Sequence, residues 1–284
     1  MLIDKEKLKD IIPVIAGKMK FRPTVVEKDY YLTVILNKID ELLTDKIVFK
    51  GGTLLNKAYL NYHRLSEDLD FTYNAEFSSR SQRSKAITPI RERMSSFLDA
   101  LGLKSDKPEG EGFDNSKQYV FKIKYNSIIM NKEDLIKLEI SLRQPPIENP
   151  VNTEIKHFYQ DPFDGEDLFA VKKVLSLSWK EAVAEKLKAA ISRRDVVIRD
   201  YYDLWHILEY GFDFYDKNFV KLFKRKVKDE GYTGDYRKKF GLSDESIDLL
   251  HKQIDGFLKP VIRSGEKFDL DKVLKQFSVI LKKL

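Results

Sequence analysis

The chain has 284 residues, with 51 Lys and Arg against 45 Asp and Glu, a formal net charge of +6 and a pI near 9.0. That length supports a substantial core in two domains or one elaborated domain, and 42% hydrophobic content is ordinary for a globular protein. The absence of cysteine excludes disulfides, thiolate catalysis and cysteine–zinc sites, and four histidines scattered at 63, 157, 206 and 251 argue against a His-rich metal site. No apolar run approaches the roughly 20 residues that span a bilayer. The N-terminal MLIDKEKLKDII is charged and lacks a signal-peptide core, so a cytoplasmic setting is expected. The basic balance permits a polyanionic partner. With 34% of residues charged and both signs interspersed, a well-solvated surface explains it as readily. The densest basic run (Lys221, Lys224, Arg225, Lys226, Lys228) reads by itself as a solvated helix face.

Lys5 to Lys20 predicts an amphipathic helix with Leu8, Ile11, Ile12 and Ile15 on one side. Thr24 and Glu27 have the spacing of a capping box for a second helix, which continues through Tyr30, Tyr31, Val34, Ile35 and Leu36. Glu27, Lys28 and Asp29 are then either cap and surface charge or the lining of a cleft. Ile47-Val48-Phe49 is a short apolar strand, and Leu54 to Tyr62 carries Leu54, Leu55, Ala58 and Tyr59 at helical spacing. Gly51 and Gly52 therefore fall at a strand-to-helix junction, where backbone N–H groups can receive phosphate oxygens, with the Thr53 hydroxyl beside them. Asn61-Tyr62-His63-Arg64 reads as a loop. Leu65 to Phe71 then ends in alternation, so Asp68 and Asp70 project from one face of a strand. Two such carboxylates repel unless a cation lies between them, and their oxygens suit Mg²⁺, or Mn²⁺, held jointly with substrate phosphates.

Ser78 to Leu101 predicts a long polar helix ending at Gly102, and Pro108 to Gly112 a turn-rich connector. Gln118 to Asn126 alternates as a strand. Asp134 to Leu142 gives it a partner, with Leu138, Ile140 and Leu142 on one face and Lys137, Glu139 and Ser141 on the other. Pro145-Pro146 and Asn149-Pro150 break regular structure and place a domain boundary between about residues 145 and 175. Helices follow at Trp179–Ile191, Tyr201–Tyr210, Phe219–Lys228, Ser243–Leu258 and Leu270–Leu284, with a loop over 231–241. Val183, Leu187 and Ala190 face the core, and Lys186 lies beside that stripe, by spacing alone a surface lysine. Asp200 and Asp203 share a helix face, and Asp200 also suits an N-cap. Asp203, among Tyr202, Leu204 and Trp205, needs a partner if buried; Lys186 and Arg199 are the candidates. Tyr201, Tyr202 and Trp205 are candidates to stack on a base, with core packing the better account of Trp205.

The string KGGTLLNKAYLNYHRLSEDLDF resembles the AbiEii/AbiGii-type nucleotidyltransferase toxins, a branch of the polymerase-beta-like nucleotidyltransferase superfamily. Three further segments resemble that branch in the same order: Val26-Glu27-Lys28-Asp29-Tyr30-Tyr31, Ala184-Glu185-Lys186-Leu187-Lys188-Ala189, and Arg199-Asp200-Tyr201-Tyr202-Asp203-Leu204-Trp205. One departure is the stretch 54–67 between Thr53 and Asp68, longer than the shortest superfamily spacings. The resemblance implies an α+β fold, with a nucleotidyltransferase-like core of a short mixed sheet flanked by helices over 1–160. A mainly helical C-terminal bundle over 161–284 completes the cleft.

It also implies roles. Asp68 and Asp70 hold metal, and Glu139, the acidic residue within the predicted strand, supplies a third carboxylate or acts as base. Lys186 offsets the leaving pyrophosphate, with Lys188 as the alternative. Asp203 lies near the nucleotide with Lys186, or forms a structural salt bridge with it. Lys50, Gly51, Gly52, Thr53, Ser66 and Asp200 bind nucleotide. The implied activity is metal-dependent transfer of NMP from a nucleoside triphosphate to an acceptor hydroxyl, on RNA such as the tRNA 3′ end. The implied setting is a bacterial toxin–antitoxin or phage-defence (abortive infection) system with a cognate antitoxin encoded nearby. A nucleotidyltransferase acting on a small molecule or protein, and a non-catalytic nucleotide-binding module, are the alternatives. A Walker-type P-loop is excluded, because no GxxxxGK[ST] string surrounds the glycines.

Overall fold

The computed structural model describes residues 4–162, 164–193, 195–229, 231–232, 234–235 and 242–284. They form two compact units, one of residues 1–61 and 65–177, the other of 62–64 and 178–284. The first unit is built on a seven-stranded mixed sheet: β1 (Ile47–Lys50), β2 (Asp68–Tyr73), β3 (Glu111–Phe113), β4 (Gln118–Ser127), β5 (Lys132–Ser141), β6 (Val151–Ile155) and β7 (Lys172–Ser176), in the order β3-β4-β5-β2-β1-β7-β6. β2 lies between an antiparallel neighbour, β1, and a parallel one, β5. Period-2 burial drives this pairing: Ile136, Leu138 and Ile140 of β5 are buried, as are Leu69 and Phe71 of β2.

Three strands lie where the sequence predicts connectors. β3 begins inside the turn-rich PEGEG segment. β6 buries only Ile155, so it carries no alternation to read. β6 and β7 pair along their whole length, from Val151↔Ser176 to Ile155↔Lys172, and thereby tie both sides of residue 160 to the sheet. The unit boundary consequently falls after Leu177.

Helix α1 (Lys5–Met19) is capped by Asp4, which accepts from Glu6 N at 2.9 Å, and it buries the expected Leu8, Ile11, Ile12 and Ile15. Helix α2 (Pro23–Leu36) corrects an expectation, since its N-cap is Arg22, without a side-chain bond, and Pro23 pre-sets the first turn. The Thr24–Glu27 capping box does not form because Glu27 is fully buried, accepting from Ser127 Oγ at 2.6 Å and Ile128 N at 2.7 Å at the β4–β5 turn. After the single turn α3 (Ile39–Leu42) and β1, α4 (Gly51–Leu54) runs into a π-helical turn, Leu55–Tyr59, and stops short of the predicted Tyr62. The long α5 (Arg80–Ala100) is capped by Ser79 Oγ.

The second unit contains α6 (Trp179–Ser192), α7 (Ile198–Glu209), α8 (Lys217–Asp229), α9 (Asp244–Gln253), which continues into a π turn Ile254–Leu258, and α10 (Leu270–Lys283). Phe214 packs edge-on against Phe219 and Phe277 at its centre. Of the basic run on α8, Lys226 is buried and paired with Glu181 and Glu185 at 2.6 Å each, so that face is not wholly solvated. Of the loop predicted over 231–241, residues 233 and 236–241 lie outside the described residues. Among the described residues no helix is long and apolar enough to cross a membrane.

Candidate active site

The glycine turn and the paired aspartates meet because β1 and β2 are antiparallel neighbours, with Lys50 opposite Asp70. Gly51 takes φ +80°, a left-handed conformation that disfavours a side chain. A Cβ built on it would lie 2.2 Å from Asp70 Oδ2, so the Asp70 carboxylate rests directly on the glycine backbone. Thr53 is fully buried and its Oγ1 donates to Asp68 O at 2.5 Å, which locks helix to strand. The Thr53 hydroxyl is thus a structural tie within the motif rather than an open donor beside the turn. Ser66 is buried on the approach to β2.

Asp68 and Asp70 are half-buried, with Leu69 buried between them, as the alternation predicts. β5 pairs in parallel with Asp68↔Lys137 and Asp70↔Glu139 in register, which puts Glu139 on the face of the aspartates. Its oxygens are engaged: Lys137 Nζ is 2.6 Å from Oε1 and Gln118 Nε2 donates to Oε2 at 2.7 Å. Among the described residues no group of three or more His, Asp or Glu side chains is preformed to hold a metal. The carboxylate oxygens of Asp68 and Asp70, beside the glycine turn, do fit Mg²⁺, which takes one or two carboxylates and completes its shell with phosphates and water.

Asp29 of the Glu-Lys-Asp segment of α2 anchors the π turn that follows the glycines. Lys57, fully buried in the π turn after the glycines, lies 2.7 Å from Asp29 Oδ2 and 2.8 Å from Thr33 Oγ1. Tyr159 donates to the same Asp29 oxygen at 2.9 Å, and Lys28 pairs with Asp134 at 3.0 Å. Asp29 is therefore neither surface charge nor cleft lining. The signal that could have found this pair is Lys57 itself, a lysine among apolar residues in a short helix.

In the second unit Asp203 is an acceptor for four donors. Oδ1 takes His63 Nε2 at 2.7 Å and Arg64 Nε at 2.6 Å, while Oδ2 takes Arg64 Nη2 at 2.8 Å and Lys186 Nζ at 2.8 Å. Lys186 also reaches Asp200 at 2.8 Å, and Arg193 closes on Asp200 at 2.9 Å. Asp200 is buried in the first turn of α7, whose N-cap is Val197, so it is no N-cap. The expected partner Lys186 is present, and the dominant partner is one sequence reasoning left without a role, Arg64. Asn61 and Tyr62, both with positive φ (47° and 59°), form the turn leading into His63 and Arg64. Tyr201 and Tyr202 are buried, which removes them as stacking platforms, and the Tyr202 hydroxyl donates to Glu266, with His63 O a second acceptor within reach. Trp205 is half-buried against Tyr202 and Phe268. Two of the histidines scattered in sequence meet here, with the rings of His63 and His206 5.0 Å apart.

Burial opposes charge on His63, Arg64, Lys186 and Asp203. For Lys186 it is outweighed by Asp200 and Asp203, which hold the ammonium above its ordinary range. For Asp203 it is outweighed by Arg64 and Lys186, which hold the carboxyl well below the usual range. For His63 burial wins and pushes the imidazole down to about 4, with Asp203 opposing. His63 is thus neutral near pH 7 and donates Nε2–H to Asp203. Between pH 6.5 and 4 the unfolded chain binds a proton at this residue that the folded one refuses. Its stabilising contribution is therefore complete above pH 6.5 and lost as pH falls towards 4. At about 1.4 kcal/mol per pH unit, the loss by pH 4.5 is about 2–3 kcal/mol. Urea titrations of the wild type and His63→Asn at pH 7 and 4.5 should show the smaller drop in the variant.

A family model described as "Nucleotidyl transferase AbiEii toxin, Type IV TA system" matches residues 34–278. A search of curated proteins gave no match. Among solved structures, the chain is similar to MenT4, a nucleotidyltransferase toxin from Mycobacterium tuberculosis, with a TM-score of 0.68 at 18% identity over 97% of this chain and 90% of that one. It is also similar to JHP933 from Helicobacter pylori, with a TM-score of 0.52 at 15% identity over 92% of each chain. At these identities the likeness is one of fold.

Proposed function

Because this chain belongs to the AbiEii family of nucleotidyltransferase toxins of type IV toxin–antitoxin systems, we propose that it transfers a nucleotide from a nucleoside triphosphate to an acceptor hydroxyl at the Gly51–Asp68–Asp70 face. The observation that supports this assignment is the Asp70 carboxylate seated on Gly51, which brings a carboxylate oxygen and the backbone of the glycine turn within one contact. Lys50, Gly51 and Gly52 form the phosphate side, and Asp68 and Asp70 would hold Mg²⁺ or Mn²⁺. A cation held there would supply charge neutralisation for the transferring phosphoryl group. The acceptor oxygen forms a bond to the α-phosphorus, its proton passes to a carboxylate of this face, and the α–β P–O bond breaks. Pyrophosphate leaves with the electron pair. The work of the chain is positioning and charge neutralisation.

RNA is the acceptor we favour, at a 3′ end such as that of tRNA, supported by the +6 balance and pI of 9.0. A cytoplasmic protein with a cognate antitoxin, acting in toxin–antitoxin control or abortive infection, fits that chemistry. The test combines purified protein, Mg²⁺, total bacterial RNA and each of the α-³²P nucleoside triphosphates. Label on tRNA-sized RNA with wild type and not with Asp70→Ala is the expected result. Label only on protein or a small molecule overturns the RNA acceptor, and no label with no bound nucleotide overturns transfer.

Gly51→Ala is a sharper probe of the same contact. Its methyl meets Asp70 Oδ2 at 2.2 Å in a left-handed backbone, so Asp70 must move. The left-handed penalty is about 1–2 kcal/mol. Transfer should fall about 100-fold, the scale of a small misplacement at a reacting centre. Thermal melts and labelling rates measured together check both effects.

A further inference from the structure

Lys137 has no part in the mechanism above, yet it stands on the same sheet face as Asp68, Asp70 and Glu139. On β5 it is in register with Asp68, and Glu139, one alternation further, is in register with Asp70. Residues in register on parallel strands project the same way, so the four side chains form a two-by-two patch of three acids and one base. The ammonium is bonded to Glu139 at 2.6 Å and lies in the field of Asp68 and Asp70. Gln118 holds the other Glu139 oxygen, and Gln118 Oε1 in turn accepts from Arg143 Nη2 at 3.4 Å. Three carboxylates on adjacent strands repel one another strongly unless a cation screens them. The side chain of Lys137 is 43% exposed on a flexible four-carbon stem, so it can leave the patch without disturbing the core.

We propose that Lys137 is a built-in counter-ion which shields the Asp68–Asp70–Glu139 patch and is displaced from Glu139 onto the triphosphate when divalent cation and nucleotide bind. This rests on the assignment of Asp68 and Asp70 as metal ligands. An ammonium in the field of Asp68 and Asp70 repels a divalent cation bound there, so Lys137 weakens metal binding by the protein alone. Triphosphate gives the displaced ammonium a new partner and removes that penalty. Metal and nucleotide then load cooperatively, each binding more tightly in the presence of the other.

The test is Mn²⁺ binding without nucleotide, followed by calorimetry and by electron paramagnetic resonance of the free ion. Wild type is compared with Lys137→Met, Lys137→Arg and Asp70→Asn. Lys137→Met should bind Mn²⁺ about tenfold more tightly than wild type, the effect of one nearby charge at intermediate dielectric. Lys137→Arg should resemble wild type, and Asp70→Asn should lose binding. The melting temperature of Lys137→Met should rise more with Mn²⁺ than that of wild type, and its KM for the triphosphate should rise about tenfold. Equal Mn²⁺ affinity in wild type and Lys137→Met, with loss in Asp70→Asn, overturns the counter-ion alone. Mn²⁺ binding that is absent throughout, or unaffected by Asp70→Asn, overturns the metal assignment and the counter-ion with it.

Discussion

Asp70→Ala is expected to lower nucleotidyl transfer by at least about 1,000-fold, the scale of removing one preorganised charge-stabilising group. The reason is local and geometric. Asp70 is opposite Lys50 on β1, in register with Glu139 on β5, and packed against Gly51. Gly51 offers only backbone at that point, and both Glu139 oxygens are engaged by Lys137 and Gln118. The fold should survive. Asp70 is half-buried at the start of β2, and its removal relieves repulsion with Asp68 and Glu139. The stability change should stay within about 1 kcal/mol. Labelling rates together with circular dichroism melts decide the matter: activity within about tenfold of wild type, in a folded protein, sinks the assignment of this face.

The largest stability effect belongs to Asp203→Ala. Asp203 is fully buried and serves four donors from His63, Arg64 and Lys186. In this cluster two buried acids, Asp200 and Asp203, balance two buried bases, Arg64 and Lys186. Alanine leaves two buried cations facing one carboxylate. Breaking a buried pair in this way costs about 3–5 kcal/mol, which for a protein of this size corresponds to a melting point lower by about 10 °C. Asp203→Asn retains the shape without the charge and should recover only a small part of that loss. Pairing Asp203→Leu with Arg64→Leu should cost less than the sum of the single changes, since the double variant leaves less charge stranded. A melting point for Asp203→Ala within about 3 °C of wild type would show that the cluster does not hold this unit together.

Both effects come from carboxylates, and they differ in how visible they were beforehand. The Asp68–Asp70 face was legible because its geometry is local. Alternation in a strand has period two whatever the rest of the chain does, and a double glycine between an apolar strand and a helical stretch marks a backbone that side chains would obstruct. The helices of the second unit were legible for the same reason, since each apolar stripe repeats within a turn or two. The Arg64–Asp203 contact was not legible. It joins residues 139 apart, and the turn that starts it depends on left-handed conformations at Asn61 and Tyr62, residues with no sequence obligation to adopt them. Glu27 shows the same limit from the other side, because a capping-box spacing was satisfied in sequence and overridden by a buried hydrogen bond to Ser127, a hundred residues away.

What the sequence alone determined about this protein is the pair of aspartates on one strand face, the glycine turn before them and the family they resemble. All of these rest on neighbours within a few residues, where chain geometry leaves little choice. Tertiary structure decided which charge answers which: Lys57 with Asp29, Lys137 with Glu139, and Arg64 and Lys186 with Asp203. A buried charge must find its opposite wherever the fold brings one, and strand order and helix packing, not spacing along the chain, set that meeting.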